Sequence, residues 1–120
     1  MSDGVNRLQV KIIGGHGGVS PGFKATSYLI NDELVIDAGS IATGMPESKQ
    51  RLVDSILISH AHLDHINELA FLCDNCFEDR DKPFEVYANK TVVKAIREHL
   101  LNDIIWPDFT SLPSSQNPTI

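Results

Sequence analysis

The chain has 120 residues, 42% hydrophobic and 22% charged, which suits one soluble globular unit with a single modest core. Ten Lys and Arg against sixteen Asp and Glu give a formal charge of -6, which excludes a broad basic face for a nucleic-acid backbone or an anionic membrane. The N-terminus lacks the basic-then-apolar pattern of a secretory signal, no apolar run nears the roughly 18 residues of a spanning helix, and two cysteines make no disulfide framework, so a cytoplasmic location is expected.

Residues 7–13 alternate polar and apolar side chains, with Leu8, Val10 and Ile12 on one face, and this period of two predicts a half-buried strand. The run Gly14-Gly15-His16-Gly17-Gly18, followed by Ser20-Pro21-Gly22, predicts a mobile loop, because glycine at that density frees the backbone. Residues 25–30 and 33–37 are β-prone runs separated by Asn31-Asp32, which suit a tight hairpin. The third strand ends at Asp37-Ala38-Gly39, and residues 40–44 form a short turn stopped by Met45-Pro46. Residues 55–58 are an apolar run fit for a buried central strand. From His65 the period changes: Ile66, Leu69, Ala70, Cys73 and Phe77 recur at helical spacing and predict about three turns of helix. Residues 84–88 return to strand, and Asn89 caps a helix that buries Val92, Val93, Ile96, Leu100 and Leu101. Strands, helix, strand, helix in that order predict an α/β layered fold.

The chemistry concentrates in Ser59-His60-Ala61-His62-Leu63-Asp64-His65, directly after the predicted central strand. In extended chain, residues two apart point the same way, so His60 and His62 can offer imidazole nitrogens to one cation while Ala61 turns away. Asp64 and His65 follow as the chain bends into a helix and can face a second cation. Imidazole with carboxylate is a ligand set for zinc, iron or manganese, and unpartnered groups of this kind are costly to bury. Other candidates read as structural. Cys73 and Cys76 lie at a helix end without the second ligand pair of a zinc site, which predicts helix packing with one thiol partly exposed. The glycine-rich loop has no following helix to add its dipole to a phosphate site, and a single Trp106 suits core packing better than base stacking. His16 and His99 stand alone and read as ordinary core or surface residues.

His60-Ala61-His62-Leu63-Asp64-His65 matches the HxHxDH signature of the metallo-β-lactamase fold superfamily. The glycine-rich loop, Asp37-Ala38-Gly39, the leucine in His62-Leu63-Asp64-His65-Ile66 and the late Ile105-Trp106-Pro107-Asp108-Phe109 resemble class II cyclic nucleotide phosphodiesterases. One departure is Glu68, where that family usually has Gly or Ser. The resemblance implies that residues 1–120 are the N-terminal half of an αββα sandwich, a truncated portion of a hydrolase domain whose remaining ligands lie downstream. It implies two divalent metals, zinc first with manganese or iron as alternatives, held by His60 and His62 and by Asp64 and His65. Asp64 would also steer the attacking water, and Asp37 would orient the ligand loop through hydrogen bonds. The implied reaction takes a small-molecule phosphodiester, a 3′,5′-cyclic nucleotide, to the nucleoside 5′-monophosphate, with the isolated chain inactive and a homo-oligomer expected of an uncovered sheet. The alternatives are another hydrolase on the same centre, such as an RNA-processing nuclease, sulfatase or ester hydrolase, or a non-catalytic metal-binding half-domain.

Overall fold

β-branched and aromatic side chains are frequent in the first three strands, and burial alternates along the second and third, the pattern of a pleated surface with two unlike faces. The computed structural model describes residues 7–120, with β1 at Val10–Gly14, β2 at Ser27–Ile30 and β3 at Leu34–Ile36, paired antiparallel in chain order. Asn31 and Asp32 make the β2–β3 turn with φ of 51° and 61°, a conformation these residues tolerate. β4 at Ser55–Leu57 then lies parallel to β3, and β5 at Glu85–Tyr87 parallel to β4, so the sheet order equals the chain order.

The helices are α1 at Glu47–Gln50, α2 at Leu63–Cys76 and α3 at Lys90–Ala95, which runs on as a π-helical turn at Ile96–Leu100. Leu29, Val35 and Ile56 face one side of the sheet and join Leu69, Leu72 and Ile96 from the helices in one core. Each such buried aliphatic side chain contributes roughly 1.5–3 kcal/mol. Asn89 caps α3 as expected, its side chain accepting the Val92 N–H at 2.9 Å. Arg80 closes the C-terminal side of α2, donating to the carbonyls of Arg51 and Val53 and lying 3.8 Å over the Phe84 ring.

Four sequence expectations need correction. Leu8, Val10 and Ile12 are well exposed rather than half-buried. Their alternation is real, but register joins Ile12 to Tyr28, Ile36, Leu57 and Tyr87 in one cross-strand row on the sheet's outer face, which no described residue covers, leaving Ile12 66% and Tyr87 52% exposed. α2 starts at Leu63, ahead of the expected break at His65. The expected helix from Asn89 to Leu101 changes to π geometry after Ala95. Both Cys73 and Cys76 are fully buried, so neither thiol is partly exposed. Burial pushes the Cys76 thiol up to about 11, against the opposing pull of Arg80 and Arg51, and pushes Cys73 up as well. Trp106 packs on the core as expected, edge-on to Phe71 at 5.4 Å.

Candidate metal centre

Parallel pairing decides which residues meet here. Ile36 lies opposite Leu57, so the chain leaves β3 and β4 side by side at their C-terminal ends, where open α/β sheets form their clefts. Asp37 follows β3 with φ of 62°, and its N–H donates to the Leu57 carbonyl at 2.8 Å. That turn aims its buried carboxylate across at the segment leaving β4. Oδ1 accepts the Ser59 N–H at 2.8 Å; Oδ2 accepts the Ser59 hydroxyl at 2.7 Å and His65 Nδ1–H at 2.9 Å. Ser27 holds the turn from behind, donating its hydroxyl to the Asp37 carbonyl and accepting the Ser40 N–H.

These bonds set two imidazole tautomers. A carboxylate only accepts, so His65 donates from Nδ1 and keeps its lone pair on Nε2. The Ser59 hydroxyl has one hydrogen, given to Asp37, so at 2.9 Å from His60 Nδ1 it accepts, and His60 also keeps its lone pair on Nε2. Asp37 thus fixes His65 directly and His60 through Ser59. A histidine that donates one ring N–H to a carboxylate while the other nitrogen stays free is the usual state of a metal ligand.

The first turn of α2 docks on the loop after Asp37. His65 gives its carbonyl to the Ala38 N–H at 2.8 Å, and Glu68 gives its N–H to the Ala38 carbonyl at 3.0 Å. Gly39 permits the approach, because a Cβ there would stand 2.1 Å from the Asp64 carbonyl oxygen. The rings of His60 and His62 lie 4.7 Å apart, those of His60 and His65 4.1 Å apart, and Asp64 Oδ2 is 3.6 Å from His65 Nε2. The chain therefore brings together all four residues of the motif, with Asp37 behind them. Among the described residues no group of three or more His, Cys, Asp or Glu side chains is placed to hold one ion. What the chain offers is pairs of nitrogen and oxygen donors, two of them with lone pairs pre-set, and that donor set fits divalent cations.

His16 lies edge-on to Phe23 at 4.8 Å and His99 sits in the π-helical turn, so neither joins the cluster. Sequence reasoning missed Ser59, Gly39 and Glu68 as parts of the site. A polar residue ending an apolar strand marked Ser59; nothing local marked the close approach at Gly39 or the side-chain partners of Glu68.

The chain has the metallo-β-lactamase fold, with its histidine and aspartate loop at the C-terminal end of a parallel strand and leading into a helix. Two solved structures share the chain path: the metallo-β-lactamase fold protein YhfI from Bacillus subtilis (TM-score 0.66, 21% identity, 78% of this chain and 41% of that one) and unliganded yeast PDE1 (TM-score 0.70, 14% identity, 88% and 47%). Within that fold the family model described as cAMP phosphodiesterases class-II matches residues 18–117, and the chain belongs to this family. Similar sequences include a probable 3′,5′-cyclic-nucleotide phosphodiesterase of Yersinia pestis, 28% identical over 86% of this chain, and a 3′,5′-cyclic-nucleotide phosphodiesterase of Aliivibrio fischeri, 30% identical over 81%. The chain spans 36% of the length of each of these relatives.

Proposed function

We propose that this chain is the N-terminal portion, residues 1–120, of a metal-dependent phosphodiesterase that hydrolyses 3′,5′-cyclic nucleotides to nucleoside 5′-monophosphates. The observation that carries the reading is the hydrogen bonding of Asp37 to the motif, directly to His65 Nδ1 and through the Ser59 hydroxyl to His60 Nδ1. His60 and His62 would hold one divalent cation and Asp64 and His65 a second, zinc being the first candidate for this donor set. When bound, such cations supply Lewis acidity for the attacking water and the developing phosphorane charge. Asp64, whose side chain is 39% exposed, can reach solvent; it orients the attacking water, takes its proton on Oδ, and returns a proton to the departing 3′ oxygen as the P–O3′ bond breaks. The substrate is a small molecule, consistent with a chain that has no broad basic face.

The uncovered row from Ile12 to Tyr87 supports the domain reading, since a second layer would bury it. Without that layer the same face favours self-association, and a cytoplasmic location follows from the sequence expectation alone. His62→Ala in the intact protein tests the function. Metal content and turnover of a cyclic nucleotide should fall together; full metal content with normal turnover would overturn the proposal.

A further inference from the structure

We infer that Glu68 is a positioning residue for the metal centre, clamping the turn that carries Asp64 and His65 onto the loop after Asp37. This rests on the metal-centre reading above. Glu68 stands three residues after His65 and four after Asp64 on α2, so the three share one helix face. It is 6% exposed, and a buried carboxylate needs partners. It has them in one loop: Oε1 accepts the Ala42 N–H at 2.8 Å and the Thr43 N–H at 2.9 Å, and both carboxylate oxygens lie within 3.1 Å of the Thr43 hydroxyl. Its backbone N–H meets the Ala38 carbonyl at 3.0 Å. One residue thus ties the first turns of α2 to both ends of the segment from Ala38 to Thr43, beside the close contact of Gly39 with Asp64.

Glu68 forms a wall of a cavity of about 300 Å³ shared with Ser40, Thr43 and Asn67, so truncation would open that cavity and leave two amides without their acceptor. A second tie along the same helix provides a control. Asn75 donates to Gln50 Oε1 at 2.9 Å, and Gln50 donates to the Ala42 and Met45 carbonyls. This tie also fastens α2 to the 40–50 segment, from a residue ten positions or about 15 Å along the helix from His65, and Asn75→Ala leaves the Gln50 bond to Ala42 in place.

The test is zinc affinity by calorimetry on the intact protein, with melting temperature recorded for each variant. Glu68→Ala should weaken zinc binding by about 10-fold or more, the range seen when a residue that orients ligands is lost. Glu68→Gln, which keeps an oxygen for the two amides, should restore affinity to within about threefold. Asn75→Ala should lower the melting temperature while leaving zinc affinity within about twofold. Equal affinity losses in Glu68→Ala and Asn75→Ala, or unchanged affinity in folded Glu68→Ala, overturn the inference. If Glu68→Ala does not fold, Glu68→Asp decides, its carboxylate falling one methylene short of the Ala42 and Thr43 amides: affinity reduced more than twofold supports the clamp, and unchanged affinity overturns it. Should the wild-type protein bind no zinc, manganese or iron, the metal reading itself has failed, an outcome distinct from any of these.

Discussion

Replacing Asp37 by Asn separates charge and hydrogen-bond direction from shape. The carboxylate accepts three hydrogen bonds, two on Oδ2 and one on Oδ1. A carboxamide of the same outline has one oxygen. If that oxygen serves the Ser59 N–H, the amide NH₂ faces His65 Nδ1, and the imidazole must move its proton to Nε2 to accept. The lone pair at the metal position is then lost. If the oxygen serves His65 instead, the NH₂ opposes the fixed Ser59 N–H and the loop shifts. Either way Asp37→Asn should weaken zinc binding about as much as Asp37→Ala, by about 10- to 100-fold. The stability cost is smaller than three buried bonds suggest, because Ser59 is exposed and water replaces two of them. The His65 N–H, on a side chain 16% exposed, is the bond water cannot readily replace, at about 1.5–3 kcal/mol for a bond to a charged acceptor. A domain of this size loses about 4 °C per kcal/mol, so the melting temperature should fall by about 6–12 °C. Calorimetric zinc titration and a melting curve read both effects. Zinc affinity within twofold of wild type in Asp37→Asn would refute the assignment of tautomers.

Gly39→Ala should displace the first turn of α2 and reduce metal affinity together with stability, since a Cβ would stand 2.1 Å from the Asp64 carbonyl; metal titration and melting of the variant check both. Cys73→Ser should change thermal stability alone, with metal content preserved, because that thiol packs in the core away from the ligands. Cys76 stays protonated to about 11 when folded while its unfolded value lies near 9, so its share of stability is intact below pH 9 and is lost as pH rises through 9 to 11; denaturant melts across that window should show the decline, and Cys76→Ala should make it shallower, the raised Cys73 thiol carrying the remainder. The chain produced by itself should associate or bind a hydrophobic dye through its outer sheet face, and Ile12→Lys with Leu57→Lys should reduce both, as read by light scattering and dye fluorescence.

Most of the fold was legible because its signals are local. The period of two along residues 25–37, the Asn31-Asp32 turn and the cap at Asn89 each depend on a few neighbouring residues. Burial was less legible. The alternation of Leu8, Val10 and Ile12 marks a strand but cannot say whether another layer covers its apolar face. The four motif residues were readable from their spacing, and Asp37, at a strand end, through the family resemblance. The role of Ser59 was not, because it depends on the β3–β4 register that brings residues 22 positions apart into contact. Glu68 was noticed only as a departure, and its partners at Ala42 and Thr43 emerge once α2 lies across the sheet.

The agreement between sheet order and chain order bears on how the molecule assembles. Among the described residues no strand has to be inserted between two earlier ones, so each can add to an edge already in place. Non-local closure is what slows β-rich folding, and stepwise edge growth keeps the needed loops short. During synthesis the N-terminal strands emerge first. Asp37 would wait on the growing edge when the segment after β4 arrives, and Ser59 and His65 would find their hydrogen-bonding partner before β5 has left the ribosome.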